Sequence, residues 1–156
     1  MNTADPLLKM LDAEPDPADA APEYRLQEQV GFLLRKAHQR HVAIFAAQIG
    51  DLTPPQFAAL AKLGEVGETS QNQLGALVAM DAATIKGVVD RLKGRGLVEV
   101  ARDKGDRRRV MVTLTPGGQA ALAALLRAAR QVTAETLAPL SRREAEQLVK
   151  LLGRIS

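Results

Sequence analysis

The sequence predicts a mainly α-helical fold with one small β-hairpin wing, a helix-turn-helix unit at its centre and long helices at both ends. Three observations predict it. Capped, apolar-periodic segments flank Val78-Ala79-Met80; two alternating β-type runs enclose a charged stretch from Arg102 to Arg109; and Ala- and Leu-rich runs with few breakers follow.

Taken in order, residues 1–23 hold six acids (Asp5, Asp12, Glu14, Asp16, Asp19, Glu23) against one Lys, with four Pro and five Ala. Residues 1–22 are therefore expected to form an acidic flexible arm. Either it is a leader without function, or its Leu7, Leu8, Met10 and Leu11 dock on a partner subunit as a short helix. Glu23 to about Gln48 predicts a long helix, with Leu26, Val30, Leu33, Ala37 and Ile44 on one stripe and Leu34, His38, His41 and Phe45 on the next. Thr53-Pro54-Pro55-Gln56 is a helix start, with Thr as cap, Pro at the first helical position and Gln closing the box. That helix presents Phe57, Leu60 and Leu63 and is expected to end between Gly64 and Gly67.

Ser70 opens the next helix, with Gln73 three residues on as the reciprocal partner of a capping box. After the turn, Asp81 caps a helix that buries Ile85, Val88, Val89 and Leu92, turns Thr84, Lys86, Gly87, Asp90 and Arg91 outward, and stops at Gly96. Leu97–Val100 and Val110–Leu114 are the strands of the hairpin. Thr115-Pro116-Gly117-Gly118 enters a helix through Thr136, Pro139 interrupts it, and Ser141-Arg142-Arg143-Glu144 caps a last helix with Ala145, Leu148, Leu151 and Leu152 on one face. The helices of 23–52 and 116–156 have too little chain to cover them, which predicts a homodimer around a DNA-binding lobe at 53–115.

Composition narrows the function. A chain of 156 residues, 46% hydrophobic and 25% charged, is an ordinary globular one, the size of a single domain or of one small module plus a dimerising part. Cysteine is absent and there are two His, so neither disulfides nor a protein-built zinc site is expected, and no cofactor is. No run of about 20 apolar residues suggests a membrane span, and no signal peptide is evident, so a cytoplasmic location is expected. An enzyme would need a nucleophile with its base, a metal cluster or a phosphate loop; Gly94-x-Gly96 belongs to a helix end and Gly117-Gly118 to a turn. From Arg91 to Arg109, eight Lys or Arg face three acids, within a net charge of +3 for the chain. Such a stretch suits phosphate neutralisation, and the second helix of a helix-turn-helix lies in the major groove of duplex DNA. With three Phe, one Tyr and no Trp, base stacking on single strands is disfavoured. A solvated hairpin, or a protein-interaction module, would explain the charge or the terminal helices but not the ordered series of cap, turn, helix and basic hairpin.

From Glu23 to Ile155 the chain resembles the MarR family of winged helix-turn-helix regulators. The most specific segment is Asp90-Arg91-Leu92-Lys93-Gly94-Arg95-Gly96-Leu97-Val98, continuing through Asp106-Arg107-Arg108 to Val112-Thr113-Leu114-Thr115-Pro116-Gly117-Gly118. The resemblance implies a pair of recognition helices on a pseudo-palindromic operator, with half-sites about one turn of duplex apart. It places the wing signature on Asp106 and Arg108, the Arg entering the minor groove while the Asp holds its neighbours. It puts Ala83, Thr84, Lys86 and Gly87 where the family meets bases and backbone. Gln71 and Asn72 are expected on phosphate, as are Arg107 and Arg109, with Arg91 and Arg102 extending the basic surface. Few of these side chains can pair bidentately with a base, so shape readout is expected to matter.

The helix Glu28–His41 is similar to the first long helix of MarR repressors that sense aromatic acids or their coenzyme A thioesters, p-coumaroyl-CoA and related hydroxycinnamoyl-CoAs above all. In that family the effector sits between the dimerising helices and the DNA-binding lobe. The resemblance therefore points to Leu34, His38, His41 and Phe45 as lining, with Arg35, Lys36 and Arg40 offering positive charge. A His on an apolar helix face is more often a satisfied core residue. A repressor of an aromatic-compound catabolic operon follows; a different small phenolic effector, or action without a ligand, stays open.

Overall fold

The computed structural model describes residues 24–156, and the arm expected over residues 1–22 lies outside them. Among the described residues, those up to Lys36 belong to one compact unit and Ala37–Ser156 form another. In the first, the helix expected from Glu23 begins later. Leu26–Glu28 make a 3₁₀ turn, Gln29 is extended (φ −80°, ψ 132°), and α1 (Val30–Gln48) starts after it. The cause is local: the backbone amide of Gln29 bonds to the Leu26 carbonyl (3.0 Å) and its carboxamide to the Arg25 carbonyl (3.2 Å), both outside the helix. Within the same unit the guanidinium of Arg35 and the ammonium of Lys36 lie 5.2 and 5.7 Å from the centre of the Phe32 ring.

The second unit continues α1 and adds α2 (Pro54–Val66), β1 (Thr69–Ser70), α3 (Gln71–Leu77), α4 (Ala82–Gly94), β2 (Val98–Arg102), β3 (Val110–Leu114), α5 (Pro116–Leu137) and α6 (Arg142–Ile155). Its helix starts follow the expected chemistry. Thr53 and Gln56 form the reciprocal box of α2, Asp81 accepts from the Thr84 amide at 2.7 Å, Thr115 accepts from that of Gly118 at 2.9 Å, and Ser141 and Glu144 box α6. At α3 only half of the expected box forms. Ser70 accepts from the Gln73 amide (3.2 Å), while its own backbone lies in β1, paired with β3.

That pairing makes the wing a three-stranded antiparallel sheet in the order β1-β3-β2 rather than a bare hairpin. Thr69 and Val100 both sit opposite Val112, which is fully buried. Two residues are too short to show alternation, which hid β1 in the sequence. The second strand starts at Val98 and runs to Arg102, opposite Val110, so the charged loop is shorter than the charged sequence.

Leu60 and Leu63 of α2, Leu74 of α3, Ile85, Val89 and Leu92 of α4, and Val98 and Val112 of the sheet share one core. Phe45 of α1, Ile49 just after it, and Leu122 and Val132 of α5 are buried in the same cluster. The core therefore crosses residues 53 and 115, where the sequence suggested lobe boundaries. By contrast, no residue of α6 is buried, and its Leu148, Leu151, Leu152 and Ile155, one face at helical spacing, are 37–69% exposed.

The end of α4 is closed by a Schellman turn: Gly96 (φ 70°) bonds to the Lys93 carbonyl at 2.9 Å and Leu97 to that of Leu92 at 3.0 Å. Directly beyond, the α5 entry folds back on this turn. Thr115 donates its hydroxyl to the Gly96 carbonyl (2.6 Å) and its amide to the Leu97 carbonyl (3.1 Å). Gly118 lies so close that a Cβ there would overlap the Leu97 carbonyl group. Because that obstacle is backbone, Gly118→Ala is expected to destabilise the chain by ~1–3 kcal/mol, the usual cost of overpacking. Urea denaturation of both chains measures it, and an unchanged midpoint would contradict the packing described.

Candidate nucleic-acid interface and ligand cavity

On α4, burying Ile85, Val88, Val89 and Leu92 leaves Ala83, Thr84, Lys86 and Arg91 exposed and Gly87 half-buried. Thr84, Lys86, Gly87 and Arg91, with the exposed Asp90, are the outward positions expected from periodicity, and Ala83 is one that the resemblance named. Lys86 is not free on that face: its ammonium pairs with Asp90 at 2.7 Å. At the start of the same helix, hydrogen bonds from the amide and hydroxyl of Thr84 hold the Asp81 carboxyl below its ordinary pKa.

The wing is organised by its acids. Asp103 accepts from the amides of Gly105 (2.7 Å) and Asp106 (3.0 Å), and these two bonds, with the nearby Arg109 charge adding to them, lower its pKa. Asp106 in turn accepts from the Arg108 amide at 3.0 Å, while its carbonyl takes the Arg109 amide at 2.9 Å. Asp106 therefore fixes the backbone at Arg108 through its carboxylate and at Arg109 through its carbonyl. Arg102 is exposed and donates to the Arg107 carbonyl across the loop (2.9 Å). Arg107, Arg108 and Arg109 are all exposed. Asp103 was missed as an organising residue; Asp103-Lys104-Gly105, a local side-chain turn, was its signal.

Structure also joins what the sequence separates. Gln71 and Asn72, at the start of α3, share a polar cleft of about 320 Å³ with Arg108 and Arg109. Two amide side chains and two guanidiniums converge there, a donor set suited to phosphate oxygens.

A second cavity, of about 190 Å³, lies between α1, α2 and α5 and is lined by His41, Phe45, Pro54, Phe57, Ala129, Val132 and Thr133. The Phe45 and Phe57 rings meet edge to face at 5.9 Å, and His41 stands 6.4 Å from Phe45. Nδ1 of His41 shares a hydrogen bond with Oγ1 of Thr136 (3.0 Å). Of the ligand residues suggested by the sequence, His41 and Phe45 come together here. His38 is exposed and does not line the cavity; Leu34 and Arg35 belong to the other unit. Arg40 has a different engagement, donating to the carbonyls of Thr136 (2.5 Å) and Glu135 (2.9 Å) at the C-terminal end of α5, the negative end of that helix's dipole. Phe57, Ala129 and Thr133 complete the lining. Phe57 reads in the sequence as the apolar face of its helix, and Thr133 is one of two hydroxyls, with Thr136, near the end of an Ala- and Leu-rich run.

Comparison with known proteins agrees with this architecture. The MarR family profile matches residues 52–110, from the loop before α2 to the start of β3. The HTH-type transcriptional repressor NicR of Pseudomonas putida is 45% identical over 141 residues, covering 89% of each chain. A crystal structure of a probable transcriptional regulator from Pseudomonas aeruginosa superposes with a TM-score of 0.82 at 56% identity, over 85% of this chain and all of that one. Bordetella bronchiseptica BpsR, whose DNA binding is regulated by 6-hydroxynicotinic acid, superposes with a TM-score of 0.81 at 43% identity, over 85% of this chain and 96% of its own. These relatives are regulators rather than enzymes, and with them this chain belongs to the MarR family of winged helix-turn-helix transcriptional regulators.

Proposed function

We propose that the chain is a homodimeric repressor that leaves its operator when a small aromatic carboxylic acid fills the cavity between α1, α2 and α5. The observation that carries the proposal is that cavity: aromatic faces from Phe45 and Phe57, an imidazole from His41, and a position where the terminal helices meet the DNA-binding lobe. Its size suits a one-ring acid. The likeness to BpsR supports a hydroxylated aromatic acid such as 6-hydroxynicotinic acid. A hydroxycinnamoyl-CoA would have to leave its nucleotide outside a space of about 190 Å³, so the free acid is favoured over the thioester. Dimerisation follows from the bare apolar face of α6, which a second copy would cover. Two α4 helices then address two half-sites, while Arg108 enters the minor groove and the Gln71, Asn72 and Arg109 cleft grips the backbone. An effector weakens such binding only by preferring the state whose α4 spacing does not match the operator.

Operator binding is expected to fall steeply with added salt, because each neutralised phosphate contributes about −0.9 to the log–log slope. A flat salt response in a titration of the duplex upstream of its gene would refute DNA binding. Arg108→Ala is expected to weaken specific binding by ~1–3 kcal/mol, the scale of one good contact, and unchanged affinity would remove Arg108 from the interface. Saturating 6-hydroxynicotinic acid is expected to lower operator affinity ~5- to 150-fold, the common range of allosteric coupling, and His41→Ala to abolish the response. Measured beside p-coumaric acid and p-coumaroyl-CoA, a larger loss with the thioester would reverse the choice of effector; no loss with any of them would refute release by this class of ligand.

A further inference from the structure

The turn that ends α4 is tied to both sides of the ligand cavity. On one side Arg95 donates from its guanidinium to the Asp51 carbonyl, in the loop joining α1 to α2 and three residues before Pro54 of the cavity wall. On the other, Thr115 bonds to the Gly96 and Leu97 carbonyls at the entry of α5, which carries Ala129, Val132 and Thr133 of the opposite wall. The two ties differ in kind. The Thr115 side is backed by close packing, with Gly118 against Leu97. The Arg95 side is not: Arg95 is exposed, and a space of about 240 Å³, bordered by Asp51, Leu52, Arg95, Leu97, Ala121 and Leu125, lies beside it. Packed backbone moves as one body, whereas a polar link beside open space can shift or part while its surroundings stand.

We propose that Arg95 is a positioning residue for DNA release: through Asp51 it carries the displacement of the α1–α2 loop by an occupied cavity to the C-terminal end of α4. The proposal rests on the ligand-release function above. A ligand that presses α2 away from α5 moves Pro54 and, with it, Asp51. Held by Arg95, one edge of the α4 terminus follows the loop, while Gly96 and Leu97 stay with α5. The recognition helix then tilts about its own end. Because α4 is ~20 Å long at 1.5 Å per residue, a tilt of a few degrees moves Ala83 and Thr84 by ~1 Å, at the end that faces the bases.

A filled cavity can be tested without knowing the natural ligand. Ala129→Phe places a ring in the cavity, and Ala129→Met fills it more gently should the larger side chain not fold. With Arg95 intact, Ala129→Phe is expected to weaken binding to the duplex upstream of the gene by ~10-fold or more, within the usual range of coupling. In an Arg95→Gln background the same substitution is expected to cost less than ~3-fold, below that range, while Arg95→Gln alone stays within ~3-fold of the native chain. Arg95→Lys keeps a donor and is expected to restore most of the response. Hydrogen exchange supplies a readout without DNA: the amides of Gly96 and Leu97 should change protection on Ala129→Phe in the native background and not in Arg95→Gln. An effect of equal size in both backgrounds, in affinity and in exchange, would overturn the role of Arg95 alone. Absence of any effect of cavity filling while Arg95 is intact would overturn the ligand-release function and this proposal with it.

Discussion

The Schellman turn at Arg95-Gly96-Leu97 is the constraint on which this architecture turns, because one short segment ends the recognition helix, starts the wing and receives the entry of α5. Each of those tasks uses a different part of it. The left-handed Gly96 reverses the chain and lets the amides of Gly96 and Leu97 satisfy the last carbonyls of α4. Val98 then enters the sheet buried, in register with Leu114. The carbonyls of Gly96 and Leu97, left free by the turn, take the hydroxyl and amide of Thr115. Since Gly118 leaves no gap at Leu97, α5 cannot rotate without taking the base of the wing along. The base of the wing and the entry of α5 are thus one mechanical piece, to which the end of α4 is attached.

Charge on the wing obeys a similar economy of placement. A loop with five basic residues between 102 and 109 would repel itself, yet Asp103 and Asp106 are held in place by backbone amides rather than by the guanidiniums. Carboxylates satisfied by amides fix the loop's shape and leave Arg107, Arg108 and Arg109 exposed. Arg102 alone is turned to the loop's own backbone. The arrangement suits a wing that must be ordered before it meets a phosphate, since each side chain ordered in advance lowers the entropy lost on binding.

Most of this fold was legible in the sequence because its helix boundaries are written in side chains that act locally. Thr53, Asp81, Gly96, Thr115 and Ser141 each do within four residues what their chemistry allows, so no tertiary information was needed to place them. The exceptions have a common cause. The strand Thr69–Ser70 exists only because β3 lies beside it, and residues 26–29 read as helical by periodicity, although Gln29 bonds into the preceding turn and the helix starts at Val30. On the candidate interface, outward positions of α4 followed from periodicity, whereas the gathering of Gln71, Asn72 and the wing arginines around one cleft depends on a distance in space. The cavity was half visible for the same reason. His41 and Phe45 lie on one helix face, but Ala129 and Thr133 come from a helix almost ninety residues away, and Arg40, a good carboxylate partner by type, binds the end of that helix instead.

That diversion of Arg40 bears on how a ligand could act. Its guanidinium, His41 and Gln48 all bond from α1 to Glu135 or Thr136, at the last turn of α5. The cavity is therefore braced on its α1–α5 edges by several polar contacts. Its third wall, the first turn of α2, is reached through the loop at residues 49–53. The polar contacts join α1 to α5, whereas α2 meets the other helices through apolar packing, with Leu60 and Leu63 in the core, and a clamp of several hydrogen bonds yields only if they break together. The loop of the α2 wall carries Asp51, so under the proposed release a displacement of that wall is passed toward the end of α4 rather than into the clamp between α1 and α5.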